Sequence, residues 1–222
     1  MYTYAFLPSP ARALVLPEGI ERSLQLVHGD GLAALVETDL AIEELQQNDK
    51  QLMRAVVAHD RVIRDIFQQT VLLPLRFGTC FVSRQGLLEH LEVHKAEYLE
   101  KLAGLQGKAE YLLKLVPIAP FDQVVSPDMR GKDYFLAKKQ LYQAQVEQQQ
   151  QQQAERQWII EAIAQTYPRW VQSEPNSDIE RIYLLTDRQH EATLSDHLRT
   201  WQGHCSHWDL SVSEPLPPYH FV

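Results

Sequence analysis

Apolar and polar positions change period several times along this chain, and each change marks an element. "MYTYAFL" alternates aromatic and smaller residues and predicts a first strand. Pro8, Pro10 and Pro17 keep the following stretch irregular. "SLQLVHGDGLAALVE" predicts a hairpin turning at Gly29, Asp30 and Gly31, where positive φ costs least. From Asn48 the period becomes helical. Leu52, Val56, Ile63 and Phe67 share one side, Asn48 or Asp49 caps the start, and the helix ends near Thr70. "VLLPLRFGTCFV" predicts another strand. Ser83 then caps a second helix with Leu88, Leu91, Tyr98, Leu102 and Leu105 as its stripe and Gly104 or Gly107 at its end. "EYLLKLVPI" returns to strand.

That order predicts a modified ferredoxin-like sandwich, with helices covering one face of a mostly antiparallel sheet. The proline-containing joint "APFDQVVSPDMRG" sets the expected domains at 1–119 and 120–222. A long helix is predicted from Lys132 to about Gln165, through the six glutamines Gln148 to Gln153, with the tract as a solvated face. Trp158, Ile159, Ile160 and Ile163 anchor it. "RIYLLT", "ATLSDHLRTWQ" and "HWDLSVS" add strand, helix and strand, and "EPLPPYHFV" is an extended proline-rich tail. The fold class is α+β, in two small domains.

Composition narrows the function classes. The chain has 222 residues, 45% hydrophobic, room for one large domain or two small ones. A formal net charge of −8 argues against nucleic acid as the main partner. Apolar runs stay shorter than the ~18 residues of a membrane span, and the N-terminus makes a poor signal peptide. Cys80 and Cys205 lie far apart and read as reduced thiols of a cytoplasmic protein.

Candidate chemistry is thin. His90 and His94 have i, i+4 spacing but no third ligand, and His204, Cys205 and His207 match no standard zinc spacing. Ser195, Asp196 and His197 are consecutive, so on a helix they point apart. "HGDG" is too short for a phosphate loop. No catalytic, metal or cofactor site is expected. "PLRFGT" is the unusual stretch. Pro74 suits an edge or bulge, and Gly78 permits a kink or a close backbone approach. Arg76, facing opposite to Leu75 and Phe77, either braces a neighbouring element or meets a partner.

"YTYAF", "VLLPLRFGT" with its following helix and "LAGLQGKAEYLLKL", then "RGKDYFLAKK" and the terminal "PLPPYHFV", occur in this order. Together they resemble the gas vesicle protein F/L family (GvpF/GvpL), over nearly the whole chain. The usual glycine before the final block is replaced by Ser213 and Glu214, and the glutamine tract is a local elaboration. The resemblance implies a non-enzymatic assembly factor or minor structural protein of the gas vesicle, located there and in the cytoplasm. Its implied partners are the shell protein and other gas vesicle proteins. Interface candidates are Arg76, Phe77, Gly78, Lys132, Tyr134, Pro217, Pro218, Tyr219 and Phe221. For the tail, packing against the chain itself is the competing expectation. The rival functions are a small-molecule-binding regulatory module of tandem ferredoxin-like domains and a metal-dependent hydrolase using the histidines above.

Overall fold

A computed structural model describes residues 1–45, 48–119, 130–174 and 179–222, apart from the side chains of Glu43, Glu44 and Asp133. The joint expected over 119–131 therefore lies largely outside the described residues. In chain order come β1 (Tyr2–Pro8), β2 (Leu24–His28), β3 (Leu32–Glu37), the one-turn α1 (Ile42–Leu45), α2 (Asp49–Phe67) and the two-residue β4 (Leu73–Pro74). Next are α3 (Arg84–Val93), α4 (Lys95–Leu105) and β5 (Lys108–Pro117). The long α5 (Gly131–Thr166), β6 (Trp170–Gln172), β7 (Glu180–Asp187), α6 (Glu191–His204) and β8 (Trp208–Val212) follow. The class is α+β, as expected.

Two compact units divide the chain: Met1–Glu110 with Pro215–Val222, and Tyr111–Glu214. The division falls inside β5, earlier than the 119/120 boundary read from the prolines, and the tail belongs with the first unit. Backbone pairing carries it there, because Glu110 and Leu216 exchange N–H···O bonds of 3.0 and 2.8 Å.

In the first unit the sheet order is β2-β3-β1-β4. The β2–β3 hairpin closes with Gly29 N–H donating to Leu32 O at 2.8 Å, and Gly31 supplies the positive φ of 76°. Both central strands are buried at almost every position, so both faces are covered rather than the one expected. Register on β1 explains how. It shifts between Thr3 and Ala5, as an extra residue in a ladder does. Tyr2 and Tyr4 meet His59 of α2, whereas Phe6 stacks on Tyr98 of α4 at 5.1 Å.

Helix starts follow the sequence closely. Asn48 Oδ1 accepts from Lys50 and Gln51 N–H at 3.0 and 3.3 Å, and Ser83 Oγ accepts from Gly86 N–H at 3.0 Å. The buried face of α2 is Ala55, His59, Val62, Ile63, Ile66 and Phe67. It is rotated from the expected stripe, leaving Val56 exposed. The second helix is two helices, meeting at His94, whose φ of −99° and ψ of 9° leave the helical region. No proline or glycine marks that break.

The expected fourth strand shrinks to β4, and β5 joins the second sheet, order β6-β7-β5-β8, pairing β8 from Leu113↔Val212 to Pro117↔Trp208. A period-two pattern specifies a strand without naming its partner. In this second unit the later half of α5 is clamped by specific bonds. Glu155 accepts from His207 N–H at 2.9 Å and pairs with His207 Nδ1 at 2.8 Å. Trp208 Nε1–H donates to Gln152 O, Gln152 Nε2–H donates to His207 O, and Arg156 Nε–H meets Glu180 at 2.6 Å. Gln152, inside the glutamine tract, is thus a structural residue.

One carboxylate organises the first unit. Glu37, fully buried at the end of β3, accepts a short bond from the Tyr4 hydroxyl. It also accepts the N–H groups of Ile20, Glu21 and Arg22 at 2.8, 2.8 and 2.6 Å. The loop comes so close that a Cβ on Gly19 would lie 2.4 Å from both Arg22 O and Glu37 Oε2. Glu37→Gln places an amide donor among these donors. It should cost about 2–3 kcal/mol and lower Tm by roughly 4–12 °C in a thermal melt; an unchanged melt would show that the loop is held by something else.

Candidate functional site

"PLRFGT" folds as a short strand end and a glycine turn. Leu75 N–H donates to Tyr4 O at 2.9 Å, and pairing with the first strand resumes beyond the turn, where Thr3 N–H donates to Thr79 O at 2.9 Å. Thr79 N–H then donates to Arg76 O at 3.1 Å and Thr79 Oγ to the same oxygen at 2.7 Å. Gly78 stands third in this four-residue turn with φ of 89°, the sign a type II turn demands there. No neighbouring atom lies within 4 Å of where its Cβ would be, so glycine is required for conformation and not for close approach. Phe77 packs edge-on against Tyr2 and His59 at 6.0 and 5.6 Å, and Arg76 is exposed. Among the described residues no ion pair fixes its guanidinium.

Behind the turn runs a polar chain. A carbonyl only accepts, so His59 Nε2 carries the hydrogen that bonds Leu75 O at 3.0 Å. In the neutral ring Nδ1 is then an acceptor, taking the Tyr2 hydroxyl at 2.8 Å, and Tyr2 oxygen receives Gly78 N–H at 3.4 Å. His59 stacks on Tyr4 with ring centroids 5.1 Å apart. Burial lowers the pKa of His59 below its usual 6.5, and burial raises the phenols of Tyr2 and Tyr4. The cluster holds the shape of the turn.

The tail is a second cluster. Pro217 and Pro218 are buried and Phe221 is half-buried. Tyr219 hydroxyl donates to Asp60 Oδ1 at 2.5 Å, and Asp60 also binds Arg64 Nε–H at 2.6 Å. Glu110 accepts His220 N–H at 2.8 Å and meets His220 Nδ1 at 2.8 Å. Burial raises the Glu110 pKa, with the His220 bonds opposing. A third region is the start of α5, where Lys132 and Tyr134 are exposed. Phe135, Leu136 and Tyr142 beside them are 72%, 48% and 67% exposed. These three were missed in the sequence; the available signal was apolar residues in a helix segment with no matching polar face.

Of the candidate histidines among the described residues, only His90 and His94 come together, with ring centroids 4.5 Å apart. His90 Nε2 meets Tyr98 hydroxyl at 2.8 Å, and His94 pairs with Glu97. His204 lies over Trp158, His207 binds Glu155, and burial pushes the Cys205 thiol up to about 11. His197 bonds Tyr167 and Asp196 pairs with Arg199. Among the described residues, no three His, Cys, Asp or Glu side chains gather around a point that could hold a metal ion.

Fold and surface together define a two-unit α+β protein whose distinctive residues form turns, a docked tail and an exposed helix. The family described as Gas vesicle synthesis protein GvpL/GvpF matches residues 1–222, and the chain belongs to that family. Gas vesicle protein F of Streptomyces sp. (strain CB03234) is 29% identical over 212 residues, spanning 89% of this chain and 86% of that protein. The crystal structure of the gas vesicle protein GvpF from Anabaena sp. PCC7120 is similar, with a TM-score of 0.70 at 18% identity, over 99% of this chain and 94% of that one. GvpF from Microcystis aeruginosa gives 0.68 at 18%, over 99% and 97%. No helix among the described residues is long and apolar enough to cross a membrane.

The neutral His59 has a pH signature. As pH falls through 6.5 the unfolded histidine takes a proton that the folded one resists, so this contribution is complete above that pH and drains below it. His59→Gln should cost about 1–3 kcal/mol near neutrality, with the gap to the parent narrowing as denaturation is repeated towards about pH 5. A gap that widens on acidification would refute the neutral tautomer.

Proposed function

We propose that this protein acts in gas vesicle assembly, or as a minor vesicle component, through contacts with the shell protein and other gas vesicle proteins. The full-length match to a gas vesicle synthesis family is the observation that carries the reading. Its location in this reading is the cytoplasm and the vesicle. A shell subunit with an apolar gas-facing side needs cover before incorporation. The start of α5 suits that task, because Tyr134, Phe135, Leu136 and Tyr142 are exposed beside Lys132, Lys138 and Lys139. An apolar helix face of this kind recognises a partner by groove or helix docking. Arg76, held outward by the Gly78 turn, is a second contact in the same reading, with Phe77 and Gly78 setting its position. Pro217, Pro218, Tyr219 and Phe221 act through the shape of the first unit.

Purified protein should retain purified shell protein and accessory gas vesicle proteins in a pull-down. Phe135→Ser with Tyr142→Ser should weaken that capture by about tenfold or more, as for loss of central aromatic anchors, at an unchanged melting temperature. Arg76→Ala should weaken it with the fold intact. Absence of capture, together with normal vesicles on deletion, would remove the reading.

A further inference from the structure

The outer face of α2 is a second surface, in the other unit. Its buried side is complete without Met53 and Val57, which are 65% and 62% exposed one helical turn apart. With Lys50, Arg54, Ala58 and Arg61 they line an open, shallow groove of about 470 Å³ along this one helix. This chain carries a net charge of −8, yet among the described residues three cations and no carboxylate line the groove. One of these cations is fixed in advance, because Arg61 Nη2–H donates to Glu18 O at 2.8 Å and to Gly19 O at 3.4 Å. The Asn48 cap fixes the start of the same helix.

We propose that this groove docks an acidic amphipathic helix of a partner protein. Met53 and Val57 receive apolar residues at i, i+3/i+4 and i+7, methionine adapting to their shape. Lys50, Arg54 and Arg61 meet flanking carboxylates, which select for sign and speed encounter. An anionic bilayer fits less well, since a broad charged plane faces the negative charge of the whole chain, whereas a docked helix brings its carboxylates within a Debye length of these cations alone. The inference needs only the geometry of α2 and stands apart from the role of α5.

The test uses the full chain and a fluorescent 18-residue designed peptide, helical, with Leu at i, i+3, i+4 and i+7 and Glu at flanking positions. In anisotropy titrations the Glu peptide should bind about tenfold or more tighter than its Glu→Lys counterpart, and raised salt should weaken it several-fold. Met53→Glu with Val57→Glu should lose about tenfold or more, while circular dichroism and the thermal melt stay unchanged. Phe135→Ser with Tyr142→Ser should leave this binding untouched, which separates the groove from the α5 reading. Equal binding of both peptides, or no effect of the groove variants, overturns the proposal. So does groove-dependent binding to phosphatidylserine vesicles with none to the peptide, or a dimer of the chain alone that the groove variants dissolve.

Discussion

A buried carboxylate must be surrounded by donors, and Glu37 meets that requirement with one hydroxyl and three backbone N–H groups. Much of the first unit follows from it. The loop before β2 is drawn onto the end of β3, so closely that only glycine fits at position 19. Tyr4 is held by its hydroxyl, and its ring gives His59 a surface to stack on. His59 then fixes Leu75 O with one nitrogen and Tyr2 with the other, and Tyr2 reaches the Gly78 turn. Arg76 owes its outward position to this sequence of contacts, which begins at a residue on a different strand.

The second unit depends on a different arrangement. α5 has 36 residues, about 54 Å of helix at ~1.5 Å per residue. Among the described residues its tertiary support falls in the later half: Ile159 and Ile163 are buried, and Gln152, Glu155 and Arg156 are bonded to other elements. Lysine, glutamine, alanine and leucine favour helix intrinsically, so the earlier half continues from a clamped end by local propensity. The exposed aromatics Tyr134, Phe135 and Tyr142 are therefore carried on a rod supported at its far end.

Legibility of the fold follows the range of the interaction. Asn48 and Ser83 were readable as caps because a cap is satisfied within three residues. The hairpin at Gly31 and the span of α5 were readable for the same reason. The sheet to which β5 belongs was not, since Leu113 pairs with Val212 and alternation carries no address. The break at His94 lacked any punctuating residue. At the candidate site, alternation set Arg76 opposite to Leu75 and Phe77 but left open whether it braces the fold or meets a partner, and the turn required Gly78 to be read for its φ. The Tyr219–Asp60 bond spans 159 positions and left no local trace.

Charge distribution adds the last constraint. A surface cation on an acidic chain sits in a field that already favours it, so clustering cations around apolar residues is not needed for stability. At α2 and at the start of α5 such clusters sit on side chains left exposed among the described residues. Apolar area alone would make these faces sticky and indiscriminate. A rim of one sign converts stickiness into selection, because a partner that lacks carboxylates must leave buried or crowded cations unmatched. On an acidic chain, cations set beside exposed apolar residues therefore bias what those residues can hold towards partners of the opposite sign.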